Sequence, residues 1–230
     1  MLAVDKPAGW MLVPYNWDKT GRNLQLAISS AVLGGAFWAR SRNLRFLKYV
    51  HRLDAETTGI LLFAKSPGAV RSYGELFESR VMRKRYLAVV RGNPKEDEWL
   101  CRAKLGPDPN EHGRHRVDSR GKDAETKFKV IERRNGLTLI EARPVTGRTH
   151  QIRLHLAEAG LAIVGDTMYG APEDVSRRNP LMALRAVGLE YEDPFLRKRV
   201  RITAPSDEFV QRFMGGVTKF GRGAVTAREE

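Results

Sequence analysis

A dense polar cluster lies directly before an apolar run near residue 60. The cluster holds Arg52, Asp54 and Glu56 within five residues, and the run that follows reads Gly59-Ile-Leu-Leu-Phe-Ala-Lys. A short continuous apolar run is typical of a strand that is buried on both faces. Ionised groups beside a core are costly unless they are paired or functional. Asp54, next to Arg52 at the end of a rigid strand, is therefore a candidate nucleophile or general base.

A structural interpretation of the same cluster is equally simple. Asp54 and Arg52 could form an ordinary ion pair within a loop, with Thr57 and Thr58 capping a turn. On local chemistry alone this interpretation is favoured, because short motifs match by chance at an appreciable rate. Other segments of the sequence are needed to choose between the catalytic and the structural interpretation of Asp54.

A second polar cluster runs from Arg143 to Arg153 and leads from a strand into a helix start. Free backbone N–H groups at such a start, together with Arg148 and Thr149, would form a phosphate site. Arg153 lies about one turn into the helix, where it could reach inward. In the alternative, Gly147 makes the turn, Thr149 caps the helix and the arginines are solvated. So many hydrogen-bonding groups exceed what capping requires.

The charge of the chain is the strongest global signal. The 230 residues carry 40 lysines and arginines against 27 acidic residues, a net charge of +13. A field of this sign attracts polyanions. The basic residues also form four clusters, at 40–48, 80–85, 114–116 and 197–201. A broad phosphate-facing surface is indicated, and nucleic acid is the expected partner.

Several classes of protein are disfavoured by the sequence. We expect neither a signal peptide nor a membrane span, because no apolar run approaches 18 residues. Cys101 is the single cysteine, so neither a disulfide framework nor a thiolate metal cluster is expected. His51, His150 and His155 have no carboxylate or cysteine at ligand spacing, so we expect no metal site. We expect a cytoplasmic protein.

The hydrophobic patterns predict short strands and a few helices. Helical spacing recurs in 68–79 and 151–159, in a buried short helix at 24–33, and after Pro205 as far as Gly215. Asn135-Gly136 marks a tight hairpin. Strand patterns occupy 2–5, 59–65, 86–92, 100–105, 126–131, 137–145, 183–191 and 199–203. These elements predict an α+β fold with a large mixed, mostly antiparallel β-sheet flanked by a few helices and loops.

Three segments lack a regular period. Residues 34–45 are rich in glycine and arginine, and Phe37 and Trp38 could either stack on bases or pack into the core. Residues 106–123 are predicted to be an exposed loop that becomes ordered on binding. We expect one catalytic domain over residues 1–215 and a loose C-terminal tail over 216–230.

Together these segments resemble the RluA-type family of pseudouridine synthases. His51-Arg-Leu-Asp54-x-x-Thr-Thr-Gly is similar to the catalytic motif of that family, Lys84-Arg-Tyr86 to its tyrosine motif, and Gly147-Arg-Thr-His-Gln-Ile-Arg to its arginine motif. Lys-Pro-Ala-Gly at 6–9 and Gly-Asp-x-x-Tyr-Gly at 165–170 complete the order. The chain departs from the family pattern at three positions, where serine, histidine and histidine-proline are usual: Thr58, Arg185 and 192–194.

The resemblance implies an isomerase that converts uridine in rRNA or tRNA to pseudouridine, with no cofactor. Asp54 would act at the ribose of a flipped-out nucleotide as nucleophile or base, and Arg153 would pair with it and keep it ionised. Tyr86 would pack against the base and take part in proton transfer. The residues implied or inferred to bind the substrate are Arg52, which would support the flipped nucleotide, and Thr58, Arg148, Thr149, His150 and Gln151.

Further expectations complete this interpretation. Ile60 and Leu62 would keep water from the detached base. His155 should pack within its helix, and Lys6 and Asp166 should be structural. Many members of the family carry a small N-terminal RNA-binding S4 domain, and we expect none here because the catalytic domain begins at the first residue. A monomer is expected.

Two other functions stay open at this point. One is a catalytically silent RNA-binding or ribosome-assembly module on the same fold. The other is a glycoside-type hydrolase that uses Asp54 with Glu56, although a charge of +13 is hard to explain for a neutral carbohydrate. The sequence does not identify the modified RNA or the uridine within it.

Overall fold

The computed structural model describes residues 1–12, 21–170 and 181–215, together with the backbone of 226–229. Its helices are α1 (Leu24–Leu33), α2 (Phe37–Arg40), α3 (Pro67–Glu78), α4 (Gln151–Glu158) and α5 (Asp207–Met214). Its strands are β1 (Leu2–Lys6), β2 (Lys48–Tyr49), β3 (Thr58–Ala64), β4 (Arg83–Arg91), β5 (Glu98–Pro107), β6 (His115–Val117), β7 (Lys122–Arg134), β8 (Leu137–Pro144), β9 (Leu184–Glu192), β10 (Arg199–Thr203) and β11 (Thr226–Glu229). Within these ranges no helix has the length and apolar character needed to cross a membrane.

All of these strands join one sheet. Its main order is β1-β3-β9-β4-β8-β7-β5-β6, with β2 beside β3, and with β10 between β9 and β11. Among the described strands, β3 and β9 pair in parallel and the other pairs are antiparallel. The α+β fold with a large, mostly antiparallel sheet is therefore confirmed.

Strand β3 is buried on both faces, as its apolar run predicts. Ile60 and Leu62 pack on one side with Tyr73 of α3, while Leu61 and Phe63 pack on the other with residues of α1 and α2. All four of these β3 side chains are fully buried. The polar loop that precedes β3 is consequently attached to one of the most rigid parts of the molecule.

Helix α1 begins and ends where its pattern predicts, but it is not the buried helix that we expected. It has no fully buried side chain, and Leu33 is 86% exposed. Only the face carrying Leu24, Ile28 and Val32 packs against the core. Of the two aromatic residues in α2, Trp38 packs against the same core cluster and Phe37 is exposed.

The prediction of an exposed loop over 106–123 holds for residues 108–114 and 118–121 and is wrong for the rest, which belong to β5, β6 and β7. Strand β6 pairs with β5, placing Val117 opposite Leu105 and His115 opposite Pro107, and β7 already begins at Lys122. Gly121 makes the return possible, because a Cβ there would lie 2.5 Å from the backbone carbon of Leu105. A strand of three residues is too short to show a period in the sequence.

The predicted tail also contains structure. Thr226–Glu229 pairs antiparallel with β10, so these residues extend the sheet and do not form a loose tail. The other residues of 216–230 lie outside the described residues, as do residues 171–180. A catalytic domain over 1–215 with an appended 216–230 segment remains a proposal.

Gly59 gives a direct test of how β3 is held against β9. Its φ is +105°, and a Cβ would lie 2.1 Å from the carbonyl oxygen of Ala186, its partner across the parallel pair. We expect Gly59→Ala to lower the free energy of unfolding by about 3 kcal/mol or more, from backbone strain and overlap together. Urea denaturation measures the change.

Gly74→Ala is the matched control. It lies within α3 and a Cβ there meets nothing within 4 Å, so we expect a stability change of less than about 1 kcal/mol, in the stabilising direction. Equal effects of the two substitutions would contradict the close approach of β3 and β9.

Candidate active site

Four segments enclose a cavity of about 670 Å³: the loop before β3, the end of α3, the start of β4 and the loop between β8 and α4. Eight of the nine predicted site residues line it: Arg52, Asp54, Tyr86, Arg148, Thr149, His150, Gln151 and Arg153. The ninth, Thr58, is not among the lining residues. Thr58 pairs with Arg185 of β9 at the start of β3, and Thr57 lines the cavity instead.

Arg153 is the central cation of this cavity. It lies in the first turn of α4 and is 3% exposed, so it reaches inward as its position predicts. Its Nε and Nη2 donate to the two carboxylate oxygens of Asp166, at 2.7 and 2.8 Å. Its Nη1 lies 3.6 Å from Oδ2 of Asp54. One guanidinium thus joins a buried carboxylate to a partly exposed one.

The buried pair is ionised for identifiable reasons. Burial alone would raise the pKa of Asp166, but the bonds from Arg153 and from the N–H groups of Tyr169 and Met168 outweigh it and lower that pKa. Burial alone would lower the pKa of Arg153, and the hydrogen bond and charge of Asp166, followed by the charge of Asp54, raise it. Asp166, predicted to be merely structural, is therefore the main partner of the central cation.

Lys6 fixes the loop that carries Asp54. Its ammonium group is fully buried and donates to three carbonyls, those of Pro7, Trp10 and Ala55, at 2.8–2.9 Å. Burial lowers the pKa of Lys6 to about 8, although the charges of Glu56 and Asp54 oppose the shift. The N–H of Gly9 also donates to Ala55 at 2.8 Å. As predicted, Lys6 is structural, and it acts on the residue next to Asp54.

His150 lies on the other side of the Asp54 carboxylate. Its Nε2 is 3.9 Å from Oδ1 of Asp54, and its Nδ1 is 2.8 Å from the hydroxyl of Tyr169. The residue adopts a left-handed conformation with φ of +55° immediately before α4, which turns the ring into the cavity. Burial lowers the pKa of His150 to about 4, so the ring is neutral at neutral pH.

Tyr86 supplies a neutral phenol. Burial, followed by the negative charge of Asp54, raises the pKa of Tyr86 above its usual value. The side chain pairs across the sheet with Ala142 on one side and Ala186 on the other, so small neighbours leave it room. A phenol that keeps its proton can donate it to a hydrogen bond or to a reacting base.

Arg52 lies at the exposed rim of the cavity. Among the described residues, the carboxylate of Asp54 lies near the guanidinium of Arg153 and the neutral ring of His150, and it forms no ion pair with Arg52. The interpretation of Asp54 and Arg52 as an ordinary loop ion pair is therefore wrong. Arg52 is positioned to meet a ligand that enters from solvent.

Gln151 has a different role from the substrate binding that was predicted. Its Oε1 accepts from the hydroxyl of Thr146 and the N–H of Arg148, at 2.6 and 2.9 Å. Its Nε2 donates to the carbonyl of Glu125 and the hydroxyl of Thr126, both at 2.9 Å. All of its hydrogen-bonding positions are occupied inside the protein. Gln151 therefore shapes the loop that presents the cavity-lining residues.

Lys84 is a site residue that the sequence analysis missed. It lines the cavity and donates to the carbonyl of Thr146 at 2.7 Å. Burial, followed by the charge of Arg80, lowers the pKa of Lys84 to about 8. The signal was available, because Lys84 stands two residues before Tyr86 and alternation places both side chains on one face of β4.

The remaining expectations concern residues outside the cavity. Ile60 and Leu62 pack beneath α3 and do not line the cavity, so they are not the water barrier that we inferred. His155 is buried in α4 and contacts Thr126, as its assignment to helix packing predicts. Arg185, one departure from the family pattern, is bound to Asp5 and to the carbonyl of Pro205.

These contacts define the class of the site. A carboxylate beside a buried guanidinium and a protonated phenol suits covalent or acid–base chemistry. The exposed Arg52 at the rim suits an anionic substrate. Several classes of enzyme reaction use such groups, so the geometry of the site alone does not identify one reaction.

A profile described as RNA pseudouridylate synthase matches residues 1–158, and the chain belongs to that family. Ribosomal large subunit pseudouridine synthase C of Pasteurella multocida is 38% identical over 179 residues, which are 75% of this chain and 55% of the relative. The protein of that name from Escherichia coli strain K12 is 40% identical over 176 residues, 73% of this chain and 55% of the relative. The chain spans about half the length of these relatives. The resemblance to the RluA-type family is confirmed.

Two solved structures agree with the fold. Human RNA Pseudouridylate Synthase Domain Containing 1 superposes with a TM-score of 0.71 at 26% identity, covering 92% of this chain and 82% of that one. Human RNA Pseudouridylate Synthase Domain Containing 4 gives 0.68 at 22% identity, covering 88% and 84%. The sheet described above is thus an arrangement shared with other members.

The buried pair makes a stability prediction. Asp166→Asn removes the charge that Arg153 is bonded to, and we expect a loss of about 3–5 kcal/mol in the free energy of unfolding. Asp97→Asn is the control, since Asp97 pairs with Arg133 while largely exposed, and it should cost less than about 1 kcal/mol. Urea denaturation of both variants measures the difference, and similar losses would contradict the central place of the buried pair.

A second prediction concerns pH. Burial lowers the pKa of His51 to about 3 and those of His150 and His155 to about 4, against an ordinary value of 6.5. Between pH 6.5 and 4 the unfolded chain therefore binds more protons than the folded protein, so the free energy of unfolding should fall as pH falls through this window. Denaturation at a series of pH values measures the fall.

His155→Gln supplies the control for the pH prediction. It removes one of the three titrating groups at a ring whose Nε2 has no hydrogen-bond partner in the described structure, so the fall should become shallower. A stability that stays flat from pH 6.5 to 4 in the wild type would contradict the burial of these rings.

Proposed function

We propose that this chain is an RNA pseudouridine synthase that isomerises uridine in ribosomal RNA. The observation that carries the proposal is Asp54, which lines a cavity of about 670 Å³ with Tyr86 and has Arg153 3.6 Å away. The motifs allow ribosomal or transfer RNA, and the names of the two bacterial relatives favour ribosomal RNA. The net charge of +13 suits either polyanion.

The reaction is an internal rearrangement. The C1′–N1 bond breaks, the detached base turns, and C5 bonds to C1′, while C5 loses a proton and N1 gains one. No atom or electron is gained overall, so the reaction consumes no co-substrate. The chain has to supply a group that acts at the ribose, a contact for the loose base and a route for the proton.

Asp54 is the group that acts at the ribose, as nucleophile or as base. Arg153 holds its carboxylate from one side at 3.6 Å, and Nε2 of His150 lies 3.9 Å away on the other. Because Asp166 occupies the other nitrogens of Arg153, the guanidinium keeps its orientation when substrate enters. The carboxylate is thus positioned before the substrate arrives, which lowers the cost of reaching the transition state.

Tyr86 contacts the base and takes part in the proton transfer. Its raised pKa keeps the phenol protonated, so it donates a hydrogen bond to the base in the ground state. Arg52 at the rim supports the nucleotide after it has left its stack, a step that costs a few kcal/mol. Arg148 and Thr149, at the start of α4, meet the phosphate next to it.

We propose a monomer that works in the cytoplasm, where its RNA is found. RNA is the partner, and no cofactor enters the proposed reaction.

The hydrolase alternative needs two carboxylates facing one sugar. Oε2 of Glu56 lies 3.9 Å from Nη1 of Arg153, and the Glu56 side chain is 48% exposed. Glu56 is not among the described residues that line the cavity. Asp54 therefore has no carboxylate partner at Glu56 within the cavity. A hydrolase would also release free uracil, which is simple to measure beside pseudouridine.

Asp54→Asn tests the proposal against both alternatives. We expect conversion of uridine in ribosomal RNA to fall at least a thousandfold, roughly the loss seen when a nucleophile or its base is removed, while affinity for RNA stays close to that of the wild type. Mass spectrometry of nucleosides after digestion measures pseudouridine and free uracil in the same sample.

Glu56→Gln is the matched control, because it removes the same charge two residues away. It should leave conversion within about threefold of the wild type, since Glu56 is exposed and lies outside the cavity. Full activity of Asp54→Asn would overturn the proposal. A wild type that forms no pseudouridine yet binds RNA would favour the silent binding module.

A further inference from the structure

A second depression, of about 650 Å³, adjoins the active-site cavity. Side chains alternate along β4, so Arg83 and Arg85 lie on the face opposite Tyr86, while Lys84 lines both depressions where they meet. The depression is lined by seven basic residues and one acidic residue, Glu190. The basic residues are Arg80, Arg83, Lys84, Arg85, Lys127, Arg143 and Arg201.

The strand register brings these cations together from four strands, β4, β7, β8 and β10, while β9 between β4 and β10 contributes Glu190. Arg83 pairs with Glu190, and Glu190 in turn pairs with Arg201 on the next strand. Lys127 pairs with Arg143 on the far side of β4. The segments are distant in the sequence, and only the order β7-β8-β4-β9-β10 makes one surface of them.

Two carboxylates beneath this surface hold its arginines in place. Glu190 bonds or pairs with three guanidinium groups, and its pKa is lowered chiefly by the hydrogen bond from Arg199. Glu141, with a side chain 9% exposed, pairs with two. Five arginines on two carboxylates leave an excess of positive charge. The five are Arg83, Arg85, Arg143, Arg199 and Arg201, which together with Lys127 we call the arginine face.

The arrangement is ordered yet open to solvent. The side chain of Arg83 is 75% exposed and that of Arg143 is 63% exposed, although both bond to carboxylates. Gly188 gives Arg85 room to lie along the sheet, because a Cβ at Gly188 would be 3.1 Å from Nε of Arg85. Arginines that are already oriented lose less side-chain entropy when an anion binds.

The arginine face and the active site meet at one end of the sheet. Arg80, Lys84 and Pro144 line both depressions, at the points where β4 begins and β8 ends. A chain of phosphates that leaves the active-site cavity can therefore pass over these residues onto the arginine face. None of the described residues that line the second depression is aromatic, so it offers phosphate contacts and no stacking platform.

We propose that the arginine face binds the sugar–phosphate backbone of the RNA that flanks the target nucleotide. This inference rests on the proposed function, and it adds a surface on the opposite side of the sheet from Asp54. Recognition there is independent of base sequence, since guanidinium groups meet phosphates and nothing contacts the bases. The target nucleotide enters one side of the sheet while its flanking RNA is held on the other.

The test compares two double variants that remove the same charge. Arg83→Ala with Arg143→Ala alters the arginine face and leaves each carboxylate at least one arginine. Arg71→Ala with Arg212→Ala removes two exposed arginines of α3 and α5 that line neither depression. The probes are a hairpin RNA with a uridine-rich loop and the same loop as a single strand without its stem.

We expect the arginine-face variant to bind the hairpin more weakly than the wild type, with the slope of log affinity against log salt reduced by about 1.8 for two lost duplex phosphate contacts. Its affinity for the stemless loop should match that of the wild type. Its KM for the hairpin should rise while kcat is unchanged, because Asp54 and its partners are untouched. The control variant should match the wild type on both probes.

If both double variants lost the same affinity for the hairpin, the inference would be overturned, because the loss would then depend only on the net charge of the protein. Unchanged hairpin affinity in the arginine-face variant would overturn it as well, and so would an equal loss on the stemless loop. Binding alone decides these outcomes, whereas a wild type that converts no uridine would count against the proposed function. The two failures are thus distinguishable.

Discussion

The structure depends on one buried cation. Arg153 is almost fully inaccessible, and a guanidinium in such a place is tolerable only because Asp166 takes two of its nitrogens at 2.7 and 2.8 Å. The third nitrogen remains for Asp54 at 3.6 Å. Arg153 therefore has both a structural and a chemical role. Its ion pair with Asp166 stabilises the buried charge, and the same ion pair fixes the guanidinium nitrogen that faces Asp54.

The surrounding hydrogen bonds fix the positions of the Asp54 loop and of the start of α4, which carries Arg153. Lys6 and Gly9 hold the carbonyl of Ala55, so the Asp54 loop cannot drift from β1. Gln151 ties the start of α4 to β7 and to the loop before it. Lys6 and Gln151 are buried and their hydrogen-bonding groups are satisfied within the protein, so neither has spare capacity for substrate. These contacts hold the catalytic side chains in a fixed geometry before substrate binds.

Much of this could be predicted from local pattern, and the rest could not for physical reasons. The apolar run of β3, the helical period of α3 and α4 and the Asn135-Gly136 turn are local signals, and their elements lie where they predict. Gln151 was predicted to bind substrate because it belongs to the motif at 147–153, but its partners at 125 and 126 lie on a distant strand. The role of Asp166 and the arginine face likewise follow from long-range pairing. Strand β6 is too short for any period to reveal it.

The most direct test of the account is a quantitative map of pseudouridine in ribosomal and transfer RNA from cells that lack the gene. The cells are complemented with the wild type or with Arg153→Met, a variant that keeps the bulk of the side chain and removes its charge. The account predicts that at least one ribosomal pseudouridine is lost with the gene, returns with the wild type and does not return with the variant. Full restoration by Arg153→Met, or a map that is the same with and without the gene, would contradict it.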